Sequence, residues 1–190
     1  NNNCTQAYPV TVTDLAGPVA NISASANVNC NGVCDGSATV NVVGGVGPYT
    51  YAWQNGSVTT SATNLCAGIY TVTATDQNGC VASTGVTITQ PTALVANASG
   101  VDPKCNGGND GTGTAGALGG TPGAGYLFSW TTLPAQNTAN ATGLTAGPYN
   151  VIVTDANGCT STASITLNNP AALTASITTV DLNCFNQCIG

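Results

Sequence analysis

"NLCAGIYTVTATDQNGC" at residues 64–80 returns at 143–159 as "GLTAGPYNVIVTDANGC". The leucine, the Ala-Gly pair, the tyrosine, a valine, Thr-Asp and Asn-Gly-Cys recur in order, while Cys66 comes back as Thr145. Inside each copy the residues alternate with a period of two and run into Asn-Gly, the strongest short-range hairpin signal. Each copy therefore reads as a β-strand ending in a tight turn, written twice.

The repetition extends outward from this stretch. Cys30 and Cys105 lie 75 residues apart, and each opens a Cys-Asn-Gly turn followed by Asp-Gly at Asp35-Gly36 and Asp110-Gly111. Cys80 and Cys159 lie 79 apart, and "PYTYAW" (48–53) answers "GYLFSW" (125–130). The extra residues sit in "GGTPGAGY" (119–126) and "TTLPAQNTANATG" (131–143), and loops are where a repeated β-domain accepts insertions. The ends follow the same pattern, with Cys4 answering Cys80, Cys184 answering Cys30 and Cys188 answering Cys34. Two complete units are expected at 18–91 and 92–170. Residues 1–17 then read as the last strand of a preceding repeat and 171–190 as the start of a following one, so the chain is expected to be a window of a longer array.

Turn signals divide each unit into six or seven short alternating segments, and no helical period is present. That pattern indicates an all-β chain of tandem immunoglobulin-like β-sandwiches of about 75–79 residues. Strands are expected at Val19–Val28, Ser37–Val43, Tyr49–Trp53, Val58–Thr63, Ile69–Thr75 and Val81–Thr89. Trp53 and Trp130 fall where such sandwiches keep a core tryptophan. "L-x-A-G-x-Y" at 65–70 and 144–149 falls at the tyrosine corner, so Leu65, Leu144, Tyr70 and Tyr149 join the expected core. Tyr49, Tyr51 and Trp53 share one strand face. They read as core and rim in preference to a sugar-stacking platform, because aromatics supply most of the burial in so small a unit.

Composition narrows the function. The formal net charge is −6, with one basic residue, seven acidic ones and no histidine. That leaves no phosphate-binding surface for nucleic acid and no attraction to an anionic membrane. No apolar run approaches the roughly 18 residues of a spanning helix. With histidine and glutamate both missing, no usual general acid–base pair or activated nucleophile can form, which argues against an enzyme. Asp76-x-Asn78-Gly79 and Asp155-x-Asn157-Gly158 faintly resemble calcium loops but lack clustered carboxylates, so Asx turns are expected there. No cofactor is expected.

The combination "GGVGPYTYAWQNG…NLCAGIYTVTATDQNGC" with a "TITQP" exit resembles the SprB-type repeat of Bacteroidota surface adhesins. The resemblance covers both complete units and both end fragments. It implies a very long protein exported by the type IX system to the cell surface, where gliding bacteria carry such adhesins along. The second unit departs from the pattern at GYLFSW and Thr145.

Nine cysteines fit an oxidising compartment. Where the first unit has Cys34 and Cys66, the second has Asn109 and Thr145, so both are lost together, as a bonded pair would be. Cys34–Cys66 is therefore an expected disulfide. Cys30 has two readings: an inter-repeat bond to Cys159, or bonds within units, Cys30–Cys80 and Cys105–Cys159. Cys4, Cys184 and Cys188 are expected to bond outside the chain. Four-thiolate metal binding fails in the second unit, which has two cysteines.

The units join at "TITQP" (87–91) and "TLNNP" (166–170) with no Gly/Ser-rich hinge, so a stiff extended rod is expected. Two functional classes follow. One is a structural stalk or filament, whose expected partners are neighbouring repeats and identical chains in a fibre. The other is an adhesive module binding polysaccharide or surfaces through Tyr126, Asn137 and Asn140 in the variable loops.

Overall fold

The computed structural model describes Pro9 and residues 16–178. Cys4, Cys184 and Cys188 lie outside the described residues. Twelve strands and no helix make up the described secondary structure. By contact the chain divides into two compact units. The first comprises residues up to Val95 with Leu118–Tyr126 and Thr154–Thr160; the second comprises Ala96–Ala117, Leu127–Val153 and residues from Ser161 on.

In the first unit, β1 (Val19–Ala26), β2 (Gly36–Val43) and β4 (Ser61–Leu65) form one antiparallel sheet in the order β1-β2-β4. The other sheet is β3-β5-β6, from β3 (Thr50–Trp53), β5 (Gly68–Thr75) and β6 (Val81–Ile88). Alternation along these strands sends one set of side chains inward from each sheet. Ala20, Ala38, Val40, Ala62 and Leu65 meet Trp53, Val72 and Ile88 in one buried cluster. That is a six-stranded immunoglobulin-like sandwich.

The strand expected at Val58–Thr63 lies instead at Ser61–Leu65, and the tryptophan explains the shift. Trp53 is 4% exposed, and its indole Nε1 donates to the Thr59 carbonyl at 2.9 Å. The Trp53 backbone N–H bonds the Ser57 carbonyl at 2.9 Å. Residues 57–60 thus fold back to satisfy a buried donor, which costs about 1–3 kcal/mol if left unpaired. Val58 is left 73% exposed. Tyr70 and Tyr149 are half-buried where full core positions were expected. Their hydroxyls donate to Cys66 and Thr145 carbonyls at 3.2 and 3.0 Å, so each ring stays at the rim with its polar end outward.

In the second unit the sheets run β10-β8-β7 and β12-β11-β9. The strands are β7 (Val95–Val101), β8 (Gly111–Leu118), β9 (Leu127–Trp130), β10 (Asn140–Leu144), β11 (Gly147–Thr154) and β12 (Thr160–Leu167). Trp130, 2% exposed, repeats the tryptophan arrangement: its Nε1 donates to the Thr138 carbonyl at 3.1 Å. The two cores balance volume differently. Ala38 becomes Gly113 and Val40 becomes Ala115, while Val86 and Ile88 become Ile165 and Leu167. A Cβ added at Gly113 would meet the Trp130 ring at 2.8 Å and Ile165 Cδ1 at 3.0 Å. Ile165, one methylene larger than Val86, reaches the space left by Gly113 on the facing sheet, while Leu167 is isomeric with Ile88. Residues 171–178 form no strand, and Leu173 and Ile177 are exposed.

β4 and β10 each carry a bulge before their buried leucine, with Asn64 at φ 56° and Gly143 at φ 70°. Asparagine and glycine are the residues that enter this left-handed region at low cost. Asn64→Gly is expected to leave stability nearly unchanged, and Asn64→Val to lower it by about 1–2 kcal/mol, measured by urea denaturation.

Candidate functional site

The chemistry of this chain is concentrated in its turns. Asp76 closes the β5–β6 hairpin: its Oδ1 accepts the N–H groups of Asn78 (2.9 Å) and Cys80 (2.8 Å). Its Oδ2 accepts the Val46 N–H at 3.0 Å, drawing in the loop that leads to β3. Asp155 repeats this with Asn157, Cys159 and, through Oδ2, Thr121. The Asx turns read from the sequence are therefore half of each arrangement; the bond to the distant loop is the half that local spacing does not encode. Gly45 (φ +67°) and Gly120 (φ +61°) let that loop approach, since a Cβ there would meet the carboxylate at 2.8 and 2.6 Å.

Asp76 and Asp155 are 6% and 4% exposed. The Val46 N–H, joined by those of Cys80, Asn78 and Gly79 and opposed by burial, holds the Asp76 carboxyl below its ordinary range. At Asp155 burial is the largest influence and acts upward, but the N–H groups of Thr121, Cys159, Asn157 and Gly158 together outweigh it.

A second network surrounds the Cys-Asn-Gly turns and holds the exit of the last strand of each repeat. In the first unit Asn31 Nδ2 donates to the Pro91 carbonyl at 2.9 Å, and the Gly32 N–H to Gln90 Oε1 at 2.9 Å. Asn27 Oδ1 accepts the Thr89 N–H at 2.8 Å. The second unit builds the same set with Asn106 on Pro170, Gly107 on Asn169 and Asp102 on Asn168. Asp35 and Asp110 brace the turns by accepting the N–H groups of Asn29 and Lys104 at 3.0 Å each. The backbone and side-chain amides of Asn29 keep the Asp35 carboxyl below its ordinary range.

Two disulfides are present among the described residues, Cys34–Cys66 and Cys30–Cys159. Cys30 and Cys159, both in the first unit as divided by contact, have Cα atoms 5.7 Å apart and a sequence separation of 129. Asn157 Nδ2 donates to the Asn29 carbonyl at 2.9 Å beside this bond. The alternative pairings Cys30–Cys80 and Cys105–Cys159 are not formed; Cys80 and Cys105 are exposed and have no disulfide partner among the described residues. Cys30 ends the approach to one turn and Cys80 follows the β5–β6 hairpin, and strands of eight residues separate such ends by roughly 25 Å.

Tyr126 belongs to the first unit, whereas Asn137 and Asn140 belong to the second. Tyr126 is half-buried, with its hydroxyl donating to the Gly119 carbonyl at 2.8 Å, as Tyr49 does to Gly44 at 2.5 Å. It braces its own loop. Asn137 and Asn140 are exposed. No cluster of three or more metal-ligating side chains occurs among the described residues. No helix there is long and apolar enough to cross a membrane.

Two outcomes are expected. Aspartates held below the ordinary value of 3.8 stabilise the fold fully above that pH, and the contribution disappears as pH falls through their folded-state pKa. The urea midpoint should therefore be flat from pH 7 to about 5 and drop below about 4. Asp76→Asn with Asp155→Asn should flatten that drop. Replacing Cys34 and Cys66 by serine should cost the first sandwich about 3–4 kcal/mol and leave the second unchanged, read by hydrogen exchange.

Several known proteins are similar to this chain. Three N-terminal domains of the highly immunogenic outer capsid protein (Hoc) of bacteriophage RB49 align at 18% identity, over 79% of this chain and 58% of that one, with a TM-score of 0.45. A Dscam structure concerned with isoform specificity aligns at 12% identity, over 81% of this chain and 46% of that one, with a TM-score of 0.34. An amphioxus IgVJ-C2 molecule aligns at 15% identity, over 65% and 89%, with a TM-score of 0.32. The chain thus spans 58% of the Hoc fragment and 46% of the Dscam fragment. No curated protein matches it. Residues 22–58, from within β1 past Trp53, match the family model of the SprB repeat, the family that the motifs of both units resemble.

Proposed function

We propose that this chain is a segment of a cell-surface repeat protein in which successive repeats, Pro18–Pro91 and Thr92–Pro170, form a stalk that bears tension without catalysing a reaction. The SprB repeat supports a surface-protein segment of adhesin type. The observation that carries the mechanical reading is the Cys30–Cys159 disulfide, which ties a turn of one repeat to the hairpin turn of the next across 129 residues. The hydrogen bonds on Pro91 and Gln90 add to it, because they hold the exit of β6 against the Cys-Asn-Gly turn. A chain pulled from its ends loads the disulfide directly, while these hydrogen bonds hold the exit of β6 inside the segment that the disulfide shields. Thr- and Asn-rich faces with few charges make such cohesion insensitive to salt.

In this reading export, gliding transport and a tip ligand belong to the longer protein, and the repeats supply reach. The adhesive alternative assigns binding to loops 119–126 and 131–143, but Tyr126 is engaged with its own loop.

Stretching the oxidised protein from its termini in optical tweezers tests the proposal. The disulfide should remove the segment between Cys30 and Cys159 from the extending chain. Cys30→Ser should therefore lengthen total extension by roughly 330 Å, at about 3.4 Å per residue, because the nested Cys34–Cys66 bond still holds back its own 32 residues. Equal extension for the two proteins would refute the tension-bearing link. Saturable polysaccharide binding abolished by Asn140→Ala would favour the adhesive module instead.

A further inference from the structure

Asn-Gly pairs occur at 31–32, 55–56, 78–79, 106–107 and 157–158. This is the dipeptide most prone to lose ammonia in water, because glycine has no side chain to keep its nitrogen off the asparagine amide carbon. In every pair the glycine N–H is engaged, but in two different ways. Gly56, Gly79 and Gly158 donate to carbonyls of their own turns, those of Trp53, Asp76 and Asp155, at 2.9, 3.1 and 3.1 Å. Gly32 and Gly107 donate instead to the side-chain oxygens of Gln90 and Asn169, each at 2.9 Å and 58 and 62 residues away. The residue after each acceptor holds the asparagine amide of the same pair. Asn31 Nδ2 donates to the Pro91 carbonyl at 2.9 Å, and Asn106 Nδ2 to the Pro170 carbonyl at 2.8 Å. Both pairs are exposed, and a Cβ added at Gly32 or Gly107 would meet nothing within 4 Å, so water reaches them freely.

We infer that Asn31 and Asn106 are latent deamidation sites, kept closed by the strand exits Gln90-Pro91 and Asn169-Pro170 and opened when an exit leaves its turn. The exit holds both reacting groups at once: one bond occupies the nucleophilic nitrogen, and the other fixes the amide that must be attacked. When the exit lifts, hydroxide removes the Gly32 amide proton and the nitrogen attacks Cγ of Asn31. A new C–N bond closes a succinimide ring, the bond to the side-chain nitrogen breaks, and ammonia leaves with a proton from water. Water then opens the ring at either carbonyl, giving aspartate or isoaspartate. The sum is amide plus water to acid plus ammonia, and Asn106 with Gly107 reacts in the same way. The carboxylate so formed has no hydrogen to donate to the Pro91 carbonyl and repels it. That bond cannot re-form, so a reversible opening becomes a permanent one, recorded in the covalent chain.

Because the closed turn is unreactive, the rate follows the population of the locally open state. The full chain is aged in mildly alkaline buffer, and after reduction and proteolysis fragment masses locate each new acid. Gln90→Ala should raise the rate at Asn31 about three- to tenfold, the worth of one hydrogen bond, and leave Asn106 unchanged. Asn169→Ala should do the reverse. Gln90→Glu keeps an acceptor for the Gly32 N–H and should keep Asn31 slow. Asn55 and Asn78, in other turns of the same repeat, should hold their rates in all these variants. Asn31→Asp, the product placed by substitution, should speed hydrogen exchange at Gly32 by a similar factor.

An unchanged rate at Asn31 in Gln90→Ala, or a rise there matched at Asn55 and Asn78, would overturn the local gate. Gly32 exchange as slow in Asn31→Asp as in the unaltered chain would overturn the permanence of the opening. Each turn and its exit belong to one repeat, so these measurements and the extension that tests the stalk fail separately.

Discussion

A buried carboxylate surrounded by backbone N–H groups is the constraint on which the rest of this structure depends. Asp76 and Asp155 are the only buried ionisable groups among the described residues, and each collects donors from two segments distant in sequence. A carboxylate without partners would be expensive at such burial, whereas one accepting several N–H groups is stable and rigid. With one basic residue in the chain, backbone amides take the part that arginine or lysine plays elsewhere. The result is a hairpin tip of fixed shape carrying a cysteine at its end.

That rigidity gives the cysteines their selectivity. A disulfide requires Cα atoms within a narrow range, so it forms where the scaffold already brings two turns together. The Asp76 and Asp155 clamps set one turn, and Asp35 and Asp110 set the other. The sandwich contributes the distance between them. Neutral side chains complete the arrangement: asparagines at 27, 31 and 106 and glutamine at 90 supply amide groups where a charged protein would use ion pairs. The exit of each repeat is therefore held by hydrogen bonds whose strength depends little on ionic strength.

The cores show how two copies of one design diverge without losing the fold. Trp53 and Trp130 occupy equivalent places and satisfy their indole donors with equivalent carbonyls. Around them, space opened on one sheet at Gly113 is taken up in part by Ile165 on the other. Loops 119–126 and 131–143 lengthen without disturbing either arrangement, because the bonds from Asp155 and Trp130 begin and end outside their variable tips.

By itself the sequence determined the all-β class, the repeat, the tight hairpins and the core tryptophans. Each of these is written in short-range order: alternation of side chains, Asn-Gly pairs, and a tryptophan on an alternating strand. It also determined that Cys34 and Cys66 belong together, since two copies in one chain disclose what is lost jointly. The tertiary structure decided the rest. It placed β4 at Ser61–Leu65 because the Trp53 indole needs the preceding carbonyls, and it left Tyr70 and Tyr149 half-buried because their hydroxyls bond at the rim. It also bonded Cys30 to Cys159 and not to Cys80. Spacing along a chain says which residues are near in sequence, but a bond across 129 residues depends on where strands end in space, and only the assembled sheets contain that information.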